Sequence, residues 1–167
     1  MTVAEKVSES LGIDWTKQND LEEVLLKYRH VFEESKQAAS PLPIGGNTQV
    51  VGLPADGYDP PGGLAVTITG WGLTATTNQS PPFMLMKVDI TVIDRASCVA
   101  RFGATDRMIC AGEAGRSTCY GDSGGPLVSG GTQVGIVSLG REYCDTDGGV
   151  YTTVGNLRSW ITAAAGV

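Results

Sequence analysis

The stretch CYGDSGGPL, residues 119–127, decides how this chain reads. Ser123 follows Asp122, and glycines stand at 121, 124 and 125 around the pair. Such a composition suits a nucleophile set in a backbone cradle for a developing oxyanion. A serine hydroxyl is a weak nucleophile at its free pKa and needs an adjacent base, usually a histidine oriented by a carboxylate. The chain holds a single histidine, His30. Whether that imidazole serves Ser123 sets what the chain can do.

Outward from this stretch the texture is β. Short Val, Ile, Thr and Leu runs are punctuated by DPPGG at 59–63, NQSPP at 78–82, SGG at 129–131 and DGG at 147–149. The pattern predicts strands over 49–53, 64–70, 84–92, 107–111, 126–128, 133–139 and 150–154. Turn signals this dense, with no long helical pattern between them, indicate an antiparallel barrel or sandwich. After Asn156 the period changes: Leu157, Trp160, Ile161 and Ala164 fall on one helical face, so a closing helix is expected to pack on the β structure.

The first forty residues differ in kind. They carry 8 of the 18 acidic residues, 5 of the 12 basic ones, and only Gly12 of the 23 glycines. A shift of this sort marks a boundary, so the chain is divided into a helical extension over 1–40 and a β domain over 41–167. Leu21, Val24, Leu25, Tyr28, Val31 and Phe32 recur at helical spacing after Asn19, predicting an amphipathic helix over 20–38 with a shorter one over 3–11.

Net charge is -6 and the pI about 4.7, which opposes an electrostatic footprint for nucleic acid or anionic lipid. No apolar run reaches the roughly 18 residues of a membrane span. The expected partners therefore exclude nucleic acid and membrane. Four cysteines, Cys98, Cys110, Cys119 and Cys144, allow three pairings. An even count in a Gly-rich β sequence favours disulfides and an oxidising compartment, and the absence of any CxxC pair disfavours zinc. No metal or other cofactor is expected. The opening residues MTVAEKVSESLGIDW place charges wherever a signal peptide's apolar core would begin, so no leader is read there.

From about Pro41 onward the chain resembles the C-terminal barrel of the chymotrypsin/trypsin-like (S1) serine proteases. The resemblance rests on GLP at 52–54, TGWGLT at 69–74, KVDITVIDRASC at 87–98, MICAG at 108–112, TCYGDSGGPLV at 118–128, VGIVSLG at 134–140 and GGVYTTV at 148–154. It implies an all-β fold, an antiparallel six-stranded Greek-key barrel with a C-terminal helix, and an extracellular lineage. It also implies roles. Ser123 matches the nucleophile, and Gly121 and Ser123 the oxyanion-hole donors. Asp122 matches the carboxylate that pairs with a new terminal ammonium after zymogen cleavage. Ser117 matches the floor of the specificity pocket, with Gly140 and Gly149 as its open walls. Cys98 with Cys110, and Cys119 with Cys144, match two disulfides. An uncharged floor implies preference for a large apolar or aromatic residue over Arg or Lys.

The same resemblance sets out what these residues lack. The family carries its histidine in an AAHC-type element and its orienting aspartate in a DIAL-type strand, and neither motif occurs here. His30, in KYRHVFEES, reads as a solvated residue on the charged side of the expected helix. Asp89 in VDIT falls in the strand leading to Cys98 and takes no catalytic role. IGGN at 44–47 follows Pro43 and reads as a surface turn, so Asp122 is expected to be unpaired or rearranged, with its oxyanion hole unformed. The expectation is a serine endopeptidase by family that is inactive as a single chain. The alternatives are a non-catalytic homologue acting as a binding or inhibitory module, and a truncated gene product. The expected partner is a polypeptide substrate or a protein covering the face a first barrel would occupy.

Overall fold

The computed structural model describes residues 44–46, 48–140, 143–144 and 146–166. The chain divides into two units, 1–49 and 50–167. The helices expected over 3–11 and 20–38, and His30 with them, lie outside the described residues. Of the first unit the structure describes the turn at 44–48, where Gly45 and Thr48 exchange backbone hydrogen bonds of 2.9 and 3.0 Å. Ile44 is exposed there, as a surface turn requires.

In the second unit alternation builds six strands: β1 (Ala65–Gly70), β2 (Met86–Ile93), β3 (Met108–Ala111), β4 (Pro126–Ser129), β5 (Thr132–Leu139) and β6 (Gly149–Thr153). Val66 and Ile68 point inward from β1, and Ile90 and Val92 from β2, as period-2 patterning demands. Every pairing is antiparallel, and the order β1-β2-β3-β6-β5-β4 closes on itself as β4 returns to β1. Closure leaves the barrel with no free edge. Its interior is filled by Val66, Ile68, Ile90, Val92, Ile109, Ala111, Leu127, Val134, Val137 and Tyr151. Two register shifts, at Leu127/Val128 and at Val137/Leu139, bend β4 and β5 where the chain must turn the corner of the barrel.

One sequence expectation needs correction, and one helix was not expected. Residues 49–53 do not form a strand; Gly52 alone makes one parallel bridge to Thr132. Val50 is 81% exposed and Val51 43%, so this segment has no buried face to reward pairing, and Pro54 ends it. The strand expected over 84–92 forms as β2, and after Ile93 comes a helix the sequence reading did not expect, α1 (Arg95–Phe102). Asp94 caps it, Oδ1 accepting from the Ser97 N–H at 2.9 Å, and Gly103 closes it in the left-handed conformation. The closing helix α2 (Arg158–Ala165) forms as expected, but none of its residues is fully buried and Trp160 is 50% exposed. No helix among the described residues is long and apolar enough to cross a membrane.

The cap carries a pH signature. Hydrogen bonds from Ser97 hold the Asp94 carboxyl below its ordinary value. A lowered folded-state pKa contributes stability that is present above the unfolded value of about 4 and lost as pH falls through the folded one. Asp94→Asn, which keeps an acceptor but no charge, should therefore flatten the acid limb of a melting-temperature profile below about pH 4. Asp94→Ala should lower the melting temperature at pH 7 as well, and identical acid limbs in all three proteins would contradict the cap's role.

Candidate active site

The turn between Cys119 and β4 is built from residues that only glycine-rich sequence permits. Gly121 has φ +99° and Gly124 φ +84°, a region in which other side chains are strained. Asp122 N–H donates to Cys119 O at 3.1 Å and Gly125 N–H to Asp122 O at 2.9 Å, so the chain folds back on itself around Ser123. Gly124 N–H to Val137 O and Val137 N–H to Gly125 O, both 2.9 Å, pin this turn to β5. Ser123 is left exposed at its tip. Among the described residues the backbone N–H groups of Gly121 and Ser123 donate to no backbone carbonyl.

Asp122 departs from expectation. Its carboxylate is not left without hydrogen-bond partners: Oδ1 accepts from the Gly72 N–H at 2.8 Å and Oδ2 from the Cys119 N–H at 3.0 Å. The space it fills exists because Gly70 and Gly72 have no side chains; a Cβ on either would overlap the carboxylate. Two backbone donors at charge-assisted distance thus hold one oxygen each. Leu73 N–H to Tyr120 O at 2.8 Å fastens the same two segments a second time.

Three hydroxyls crowd Gly149. Gly149, on β6, faces Ser117 and Thr118: a Cβ there would stand 2.5 Å from Thr118 Oγ1, 3.2 Å from Tyr151 Oη and 3.4 Å from Ser117 Oγ. Ser117 is half-buried, whereas Thr118 and Tyr151 are buried. Burial, and secondarily the charge of Asp122, pushes the Tyr151 phenol well above its ordinary value, with Thr118 partly offsetting the rise. The phenol therefore stays neutral at every physiological pH. Tyr151 Oη lies beside Thr118 without a well-formed hydrogen bond. Gly140 follows β5 in open space, with nothing within 4 Å of where its Cβ would be. The structure thus brings Gly149 to Ser117 and leaves Gly140 clear of side chains.

The disulfides are Cys98–Cys110, which ties α1 to β3, and Cys119–Cys144. Asp89 is engaged elsewhere, on the barrel surface: Thr67 Oγ1 donates to it at 2.6 Å and Lys87 Nζ lies at 3.2 Å. The Thr67 hydrogen bond, aided by Lys87, holds its carboxyl below the ordinary value. No histidine occurs among the described residues, nor any cluster of three or more side chains suited to a metal. Sequence reasoning gave no role to Gly70, Gly72, Thr118 or Tyr151. The glycines sit in TGWGLT and the other two border positions already singled out, so adjacency to Ser117 and Gly149 was the available signal.

The Trypsin family model matches residues 14–161. Among similar proteins, trypsin Blo t 3 of Blomia tropicalis is 43% identical over 135 residues, covering 75% of this chain and 51% of that protein. Trypsin delta of Drosophila erecta is 39% identical over 113 residues, covering 64% of this chain and 45% of the relative. The solved structure of neuropsin, a serine protease expressed in the limbic system of mouse brain, superposes with a TM-score of 0.67 at 32% identity. That match covers 72% of this chain and 56% of neuropsin. The chain spans about half the length of the trypsins named here. Nucleophile turn, closed barrel, paired cysteines and family match agree: this chain belongs to the trypsin-like serine protease family.

Proposed function

We propose that this chain is the nucleophile-bearing barrel of a serine endopeptidase, and that Ser123 becomes reactive only when a base and its orienting carboxylate are supplied from outside that barrel. The observation that carries the reading is the Asp122 clamp. With both carboxylate oxygens held by Gly72 and Cys119, the turn presents on one exposed tip the Ser123 hydroxyl and two N–H groups that donate to no backbone carbonyl among the described residues. That geometry stabilises a tetrahedral oxyanion but does not remove a proton. His30, beside Arg29 in a charged stretch, is not that base. Ser123 as nucleophile, Gly121 and Ser123 as oxyanion donors, and Ser117 with Gly149 as the pocket are assigned together on this reading.

Ser117, the pocket floor on this reading, carries a hydroxyl and no carboxylate, so a buried Arg or Lys side chain would find no counter-charge from it. On this reading the preferred substrate is a polypeptide with a large apolar or aromatic side chain at that position. Two disulfides suit an oxidising compartment. Complementation tests the reading: the chain is mixed with a separately produced first barrel of a trypsin relative, carrying histidine and aspartate, and peptide anilides are supplied. Hydrolysis is expected only in the mixture, with phenylalanine or tyrosine favoured over arginine by on the order of 100-fold. Arginine preference, or hydrolysis by the chain alone, would refute it.

A further inference from the structure

The two disulfides stand in different surroundings. Cys98 and Cys110 are buried, 1% and 0% exposed, and lie with Ala104 and Val150 in a small core flanked by Ile93, Phe102 and Met108. Cys119 and Cys144 are each partly exposed, where the turn that carries Ser123 begins. A thiolate must reach a disulfide sulfur to attack it, so access decides which bond exchanges first. A small thiol meets Cys119–Cys144 in the folded chain and meets Cys98–Cys110 only after the core opens.

The accessible bond also joins the Asp122 clamp. The Cys119 N–H donates to Asp122 Oδ2 at 3.0 Å, and the Cys119 carbonyl accepts from the Asp122 N–H at 3.1 Å. Across the disulfide, the Cys144 N–H donates to Thr76 Oγ1 at 2.9 Å, and the same hydroxyl oxygen lies 3.3 Å from Cys144 Sγ. Thr76 is four residues beyond Gly72, whose N–H holds Asp122 Oδ1 at 2.8 Å. These contacts close a ring from Gly72 to Asp122, Cys119, Cys144 and Thr76, and back along the chain to Gly72. The disulfide is the covalent cross-link in that ring, and Leu73 N–H to Tyr120 O at 2.8 Å is a hydrogen-bonded rung inside it. Cutting a cross-link returns conformational freedom to the segments it joined, so the Cys119 N–H then spends more time away from Asp122. The bonds of Gly124 and Gly125 to Val137 hold the turn beyond Ser123 and are left in place.

We propose that Cys119–Cys144 is a thiol-sensitive switch: a small thiol opens it while Cys98–Cys110 stays closed, and opening it loosens the Asp122 clamp on the turn that carries Ser123. The first thiolate attacks one sulfur, forms a mixed disulfide and expels the other cysteine as a thiolate, which takes a proton. A second thiol attacks the mixed disulfide, so two small thiols leave as one oxidised disulfide and both cysteines end as thiols. The proposal stands on the geometry of the turn and holds whether or not Ser123 is a nucleophile.

The test exposes the 167-residue chain to about 5 mM glutathione at about pH 8, traps free thiols with iodoacetamide and maps them by mass. Alkylation at Cys119 and Cys144 is expected to run at least about tenfold ahead of alkylation at Cys98 and Cys110. In the selectively opened chain, hydrogen exchange at the Cys119 and Gly72 amides is expected to quicken about tenfold. The Gly63 amide, which donates to Val92 O at 2.8 Å just before β1, should keep its native rate. The double variant Cys119→Ala, Cys144→Ala keeps both backbone amides; it should exchange fast at 119 and 72 without thiol and gain nothing from glutathione. Reduction of neither bond, of both together, or of Cys98–Cys110 first overturns the proposal. So does native exchange at 119 and 72 in the selectively opened chain or the double variant, or equal acceleration at Gly63, which reports general unfolding.

Discussion

Gly72→Ala is expected to destabilise the chain by about 3 kcal/mol and to unseat the nucleophile turn. A Cβ at 72 would stand 2.6 Å from Asp122 Oδ2 and closer still to the rest of that carboxylate. The carboxylate must then leave the Gly72 and Cys119 N–H groups, which forfeits two charge-assisted hydrogen bonds in a half-buried place. Ser123 is the next residue, so the cradle moves with it. Trp71, between the two glycines and 57% exposed, is placed to report the change through its fluorescence. Gly140→Ala is the control, because open space surrounds Gly140 and its substitution should cost under about 0.5 kcal/mol. Equal urea midpoints for the two variants would show that Asp122 does not depend on Gly72.

Leu127→Ala should cost about 2–5 kcal/mol, the range for a fully buried leucine. Leu127 is completely buried on β4, opposite Ile68 of β1 on one side and Gly135 of β5 on the other. The Gly135 position shows why leucine fills this place: a Cβ there would meet Leu127 Cδ2 at 3.1 Å and Ile109 Cδ1 at 3.2 Å. Shortening residue 127 opens the cavity that a methyl at 135 could partly occupy. Gly135→Ala alone should overpack the core and cost about 1–3 kcal/mol. The double variant Leu127→Ala, Gly135→Ala should lose less than the sum of the singles, and strict additivity in urea unfolding would contradict this packing.

The strands were legible because closure of a barrel imposes period 2 on both partners of every pair. Alternation marks Val66 and Ile68 on β1 and Ile90 and Val92 on β2 as inward, and the structure then pairs Val66↔Ile90 and Ile68↔Val88. Residues 49–53 show the limit of that signal: Val50 and Val51 have strand propensity, but propensity without a face to bury makes no strand. The helix α1 was missed because its residues come straight after a strong strand without interruption. Asp94 and Gly103, a cap at each end, were the cues that periodicity outweighed. Trp160 sits on an apolar face by spacing yet stays half exposed, since the sequence states which residues share a face and not how deeply the face is covered.

In the site the turn around Ser123 was legible, because glycine is favoured at the positive φ values of 121 and 124. The fate of Asp122 was not. A carboxylate between glycines announces a need for donors, but the donor at Gly72 lies 50 residues away in sequence and becomes visible only when β1 and the turn before β4 are brought side by side. Thr118 and Tyr151 were hidden for the same reason. Their hydroxyls converge on Gly149 across two elements, and no local pattern records that meeting.

On the proposed reading, the Ser123 hydroxyl meets no base among the described residues. An alkyl fluorophosphonate probe, which reacts only with an activated serine, tests this on the 167-residue chain at about pH 8. Labelling is predicted to stay at the level of the Ser123→Ala protein. Near-stoichiometric labelling of the native chain, lost in Ser123→Ala, would contradict it.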